Sequence, residues 1–112
     1  MKKAIIVEGK TDREQLLKVL DEQVDIICTY GTINSTKLEK IIKEENYHEV
    51  YVWVDADEAG NKLRQSIKHL FPNFRHLYTR RMYKEVAATP RDEIIKILQK
   101  AHFLVKECDE YY

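Results

Sequence analysis

Apolar residues along this 112-residue chain follow two alternating rhythms. Four short runs, at 4–7, 24–29, 50–54 and 74–79, have the composition of strands. Between and after them apolar side chains recur every three or four residues: Leu16, Leu17 and Leu20; Leu38, Ile41 and Ile42; Leu63, Ile67, Leu70 and Phe71; then Ile94, Ile95, Ile97, Leu98 and Ala101. That spacing predicts four amphipathic helices. Local signals bound them. Thr11-Asp12-Arg13-Glu14 has the form of a capping box, and Asn34-Ser35-Thr36 supplies a second N-terminal cap. Pro72 stops the third helix, and Thr89-Pro90 offers an N-cap with proline at the first helical position of the fourth. The fourth strand run is the most polar, which predicts an edge. Strands alternating with helices predict an α/β fold on a mainly parallel sheet of about four strands.

The length fits a single domain over 1–112, with a polar tail that frays from about residue 103. Hydrophobic residues at 44% and charged residues at 34% describe a folded chain rather than a disordered one. Nineteen Lys and Arg against nineteen Asp and Glu give zero net charge, so contact with a polyanion depends on local charge. No apolar stretch approaches the ~20 residues of a membrane span and no signal-peptide pattern follows Met1-Lys2-Lys3, so no membrane partner and a cytoplasmic location are expected. Cys28 and Cys108 read as reduced thiols, and His48, His69, His76 and His102 lack the spacing of a zinc site.

Chemistry concentrates where two strand runs end. The run 4–7 stops at Glu8-Gly9-Lys10, and the run 50–54 stops at Asp55-Ala56-Asp57-Glu58-Ala59-Gly60. A parallel sheet gathers all strand C-termini on one ligand-binding edge, so if the two runs are neighbours Glu8, Asp55 and Asp57 converge. Hard carboxylate oxygens on rigid supports suit Mg²⁺, with Mn²⁺ as a substitute. Gly9-Lys10-Thr11 is not the end of a nucleotide-binding P-loop, because Ala4 stands where its first glycine belongs and Ile5, Ile6 and Val7 fill its loop. Asp55 also fits a receiver-like phosphoacceptor, although Glu8 is followed by Gly9 rather than a second acid.

The pairing of an apolar strand ending in Glu8-Gly9 with another ending in Asp55-x-Asp57-x-x-Gly60 resembles the Toprim domain of topoisomerases, bacterial primases and several nucleases. Val7-Glu8-Gly9-Lys10-Thr11-Asp12 and Glu85-Val86-Ala87-Ala88 are similar to the Toprim domain of the ribonucleases that mature 5S ribosomal RNA, which carry a further C-terminal domain. The resemblance implies a three-layer Rossmann-like fold with helices on both sheet faces. It implies Mg²⁺-dependent, nuclease-like phosphoryl transfer on RNA or DNA, with Asp55 and Asp57 holding the metal and Glu8 a further ligand or general acid/base. A non-catalytic metal- or nucleic-acid-binding subunit of a larger complex, with a protein partner supplying the substrate surface, is the alternative.

Around this centre Gly9 and Gly60 would admit close backbone approach, and Lys10 a phosphate contact. Arg80, Arg81 and Lys84, after the fourth strand, are candidates for a phosphate-contacting patch. Asp12 and Glu58 read first as helix N-terminal acids. Tyr30, Tyr78 and Tyr83 lie near loop ends where a ring could stack on an unpaired base, though packing explains most tyrosines better. Trp53 is expected in the core.

Overall fold

Ile5 and Val7 face one side of their strand, Ala4 and Ile6 face the other, and all four are fully buried, so this strand is covered on both faces. The computed structural model, which describes residues 2–31, 34–80 and 82–106, shows how. Lys3–Val7 forms β1, Asp25–Cys28 β2, Glu49–Trp53 β3 and Arg75–Leu77 β4. All pairings are parallel, in the order β2-β1-β3-β4. The polar fourth strand lies at an edge, and the architecture is α/β with helices on both faces.

Lys10–Val19 (α1) and Arg91–Lys100 (α4) pack together on the Ile5 and Val7 face, where Leu16, Trp53, Ile94 and Leu98 are fully buried. Ser35–Glu45 (α2) and Glu58–Leu70 (α3) contribute Leu38, Leu63 and Ile67 to the opposite core. Each fully buried side chain of this size contributes roughly 1.5–3 kcal/mol of transfer free energy, so the two cores hold the sheet rigidly between them.

Several boundaries differ from the sequence reading. α1 begins at Lys10 with Gly9 as N-cap; Thr11 is exposed, and the carboxylate of Asp12 accepts the Gly9 N–H at 3.0 Å. Leu17 is exposed because the helix buries only the stripe through Leu16, Val19 and Leu20. α4 begins one residue later than expected: Pro90 is the N-cap, and the Thr89 hydroxyl instead donates to the Glu85 carbonyl at 3.0 Å. Asn34 does cap α2, accepting from the Lys37 N–H at 3.0 Å.

Residues 103–106 are held against the fold. Phe103 is buried, with its ring edge-on to Tyr51 at 4.8 Å. Val105 bridges Leu20, and the Lys106 N–H donates to Val19 at 2.8 Å. Cys28 is a free, half-buried thiol packed against the Ile5 and Val7 core, and Cys108 lies outside the described residues. Among the described residues no helix is long and apolar enough to cross a membrane.

Candidate active site

The strand order reverses around β1: the chain passes from β1 to β2 on one side and returns to β3 on the other. In parallel sheets the crevice at such a reversal, beyond the strand C-termini, is where ligands bind. Lys3 pairs with Glu49 and Ile6 with Val52, and extending that register sets Glu8 opposite Val54, one residue short of Asp55. The sheet therefore delivers the two acids to one place. The Asp55 N–H donates to Glu8 Oε2 at 3.2 Å.

Asp55 is held from a second direction by the segment after β4. The Val86 N–H donates to Asp55 Oδ1 at 2.8 Å, and the Ala56 N–H donates to the Lys84 carbonyl. Lys84 makes this turn with φ 59°, in the left-handed region. Val86 is fully buried beneath it, so an apolar anchor fixes the polar clamp. Asp57 plays a different part: its Oδ1 accepts the Gly60 N–H at 2.7 Å and caps α3.

Gly60 is required by packing. A Cβ there would lie 2.0 Å from the Asp55 carbonyl oxygen, so the glycine lets the first turn of α3 close onto the strand end. Gly9 carries no such demand, since its Cβ would meet only Asp12 Oδ2 at an ordinary 3.8 Å. Lys10, Arg80 and Lys84 are exposed, and Arg81 lies outside the described residues.

Two groups here go beyond the sequence reading. Asp12, read first as a helix N-terminal acid, is only 7% exposed. Arg64, 4% exposed, donates to the Val54 carbonyl at 3.3 Å and the Leu77 carbonyl at 3.0 Å, tying together the ends of β3 and β4 directly before Asp55. It also contacts His76 Nδ1 at 2.9 Å and lies 4.1 Å from the Tyr78 ring centroid. Its position four residues after Gly60, beside Leu63 on the buried stripe of α3, was the available signal.

The Toprim domain model matches residues 3–97, a span that includes both acidic strand ends, α3 and the Val86 clamp. The chain belongs to the Toprim domain family. This Toprim chain is 47% identical over 105 residues to the uncharacterized protein YusF of Bacillus subtilis (strain 168), covering 94% of this chain and 72% of that protein. It is 41% identical over 68 residues to ribonuclease M5 of Mycoplasma capricolum subsp. capricolum, covering 60% of this chain but only 38% of the ribonuclease. The small TOPRIM domain protein from Bacillus stearothermophilus has a similar structure, with TM-score 0.88 and 44% identity, covering 95% of this chain and 90% of that one.

Electrostatics in the Toprim site follow from burial and crowding. Glu8 is pushed up to about 7, chiefly by burial, then by its hydrogen bond with the Asp55 carboxyl and the charges of Asp55 and Asp57; the Asp55 N–H opposes the shift. Burial likewise raises Asp12, against hydrogen bonds from the backbone of Gly9 and Ala87, and the charges of Asp55 and Glu85 add to it. Among the described residues no three His, Cys, Asp or Glu side chains form a ready cage for a metal. Glu8 and Asp55 are brought together, while Asp57 stands one helix cap away. That donor set fits Mg²⁺, which is held by one or two carboxylates and keeps waters for substrate phosphates to replace.

Proposed function

We propose that this Toprim domain carries out Mg²⁺-dependent phosphoryl transfer on nucleic acid, of the nuclease kind. The observation that carries this reading is the Glu8–Asp55 contact at the strand reversal, with the Asp55 N–H donating to Glu8 Oε2 at 3.2 Å. Kinship with ribonuclease M5 supports nucleic acid as the substrate class, and Toprim domains generally bind Mg²⁺.

Asp55 and Asp57 would hold the metal through the oxygens their backbone donors leave over, with Glu8 beside them. Bound there, Mg²⁺ supplies Lewis-acid polarisation of a phosphoryl oxygen and a lower pKa for its water. Glu8 Oε2 is held by the Asp55 N–H, which orients the carboxyl as the group that would exchange a proton with a nucleic-acid oxygen. The Val86 clamp keeps the Asp55 carboxylate in one orientation, so little reorganisation is needed when the substrate arrives. Lys10, Arg80, Arg81 and Lys84 are the cations proposed to contact phosphates, in a chain whose net charge is zero.

A non-catalytic binding subunit is favoured by one observation, the commitment of Asp57 Oδ1 to the α3 cap. Incubating the protein with Mg²⁺ and structured RNA, single-stranded DNA or duplex DNA separates the two. Cleavage is expected, and Glu8→Gln should reduce it by roughly 100-fold or more, the usual range for a lost general acid. Metal-dependent binding of the same substrates without cleavage would favour the subunit.

A further inference from the structure

Beside the acidic site, between the end of β2 and the start of α2, lies a cleft of about 340 Å³. Ile27, Leu38 and Ile41 give it an apolar lining, and Tyr30, Asn34 and Lys37 complete it. Among the described residues that line it, Lys37 is the charged group and none is a carboxylate. Tyr30 is 69% exposed, so its ring face is open to a ligand. Its backbone is nevertheless fixed: the Tyr30 N–H donates to the Glu8 carbonyl, and the neighbouring Thr29 N–H donates to the Val7 carbonyl at 3.0 Å. The ring is thus carried by a residue whose main chain is bonded to the candidate general acid itself. At φ 57° Tyr30 occupies the left-handed region, which non-glycine residues adopt rarely.

We propose that this cleft is a subsite for one unpaired nucleobase of the strand whose phosphate lies at Glu8 and Asp55. Flat apolar bases stack on exposed aromatic rings, and such stacking tolerates any base because every base has a π-face. Lys37 meets the adjoining phosphate as a point charge. Asn34 spends its Oδ1 on the Lys37 N–H, leaving the amide nitrogen as a donor to a base edge. A paired base inside a duplex cannot present its face to Tyr30, so the cleft selects strands carrying a bulged, looped or frayed nucleotide. The cleft volume falls within the range of small-molecule sites, and Lys37 as the charged group among its described lining residues suits a polyanionic chain. The assignment rests on the phosphoryl-transfer reading, which supplies the reason for a strand to lie at Glu8.

Binding in EDTA tests the cleft without the metal or catalysis. Fluorescence anisotropy would compare an RNA hairpin bearing a single-nucleotide bulge with a fully paired hairpin, both ended by G·C pairs and closed by the same non-nucleotide linker, so that only the bulge offers an unpaired base. The bulged hairpin should bind about tenfold tighter, Tyr30→Ala should erase that preference, and Tyr30→Phe should keep it. Equal affinity for the two hairpins, or a preference untouched by Tyr30→Ala, would overturn the assignment. So would a dimer that Tyr30→Ala dissociates in sedimentation, since the cleft would then belong to a second copy of the chain. A preference that persists while Mg²⁺ supports no cleavage would instead remove the phosphoryl-transfer reading and leave the base subsite standing.

Discussion

The two edges of the parallel sheet treat their acids in opposite ways. At the N-terminal edge nearly every carboxylate has a side-chain partner: Glu45 with Lys2, Glu22 with Lys3 at 3.5 Å, Asp25 with the Tyr47 hydroxyl at 2.6 Å, and Glu49 with the Tyr51 hydroxyl at 2.6 Å. At the C-terminal edge Glu8, Asp12, Asp55 and Asp57 make no salt bridge among the described residues, and backbone N–H groups are their hydrogen-bond donors. The first arrangement balances its charge within the chain. The second leaves crowded carboxylates without a side-chain cation among the described residues, and the pKa values of Glu8 and Asp12 rise in response.

Gly60→Ala should break the contrast most severely. The new Cβ would meet the Asp55 carbonyl oxygen at 2.0 Å, forcing α3 away from the strand end, and a loss of about 3 kcal/mol is expected in urea unfolding. Glu8→Gln should move stability the other way in metal-free buffer. An unfolded Glu releases its proton near 4.5 and the folded Glu8 near 7, so the stability it contributes is complete below 4.5 and is lost as pH rises through 7. The Gln variant escapes that loss and should be more stable than wild type at pH 8 by about 1–2 kcal/mol, a figure reduced for solvent screening, with little difference at pH 4. A wild type that gains stability between pH 5 and 8 relative to Glu8→Gln would contradict the crowding.

Lys2→Ala probes the paired edge, where the smallest effect is expected. Lys2 and Glu45 are 47% and 45% exposed, so removing the lysine should leave the urea unfolding midpoint indistinguishable from that of wild type.

What could be read in the sequence follows from the same division. A strand buried on both faces must be apolar almost throughout, so 4–7 and 50–54 announced themselves, and the acids directly after them marked the ligand edge. Contacts over long sequence separation left no local signal. Val86 reaches Asp55 across 31 residues, and the turn that brings it there depends on Lys84 in a left-handed conformation that no lysine announces. Asp12 looked like an ordinary first-turn acid because nothing in its local sequence marks the burial that raises its pKa. Thr11 and Thr89 matched capping patterns, but helix ends were set by what the tertiary structure offered their neighbours: Asp12 served Gly9, and Thr89 bonded Glu85.

Titration of Mn²⁺ into the protein, followed by electron paramagnetic resonance at pH 8, tests most directly whether the uncompensated edge is a cation site. Wild type should bind the ion at a site that Mg²⁺ competes for, and Asp55→Asn should weaken that binding at least tenfold, by about 1.4 kcal/mol. Lys2→Ala should leave it unchanged. Equal Mn²⁺ binding by wild type and Asp55→Asn, or none by either, would contradict the reading of this sheet edge.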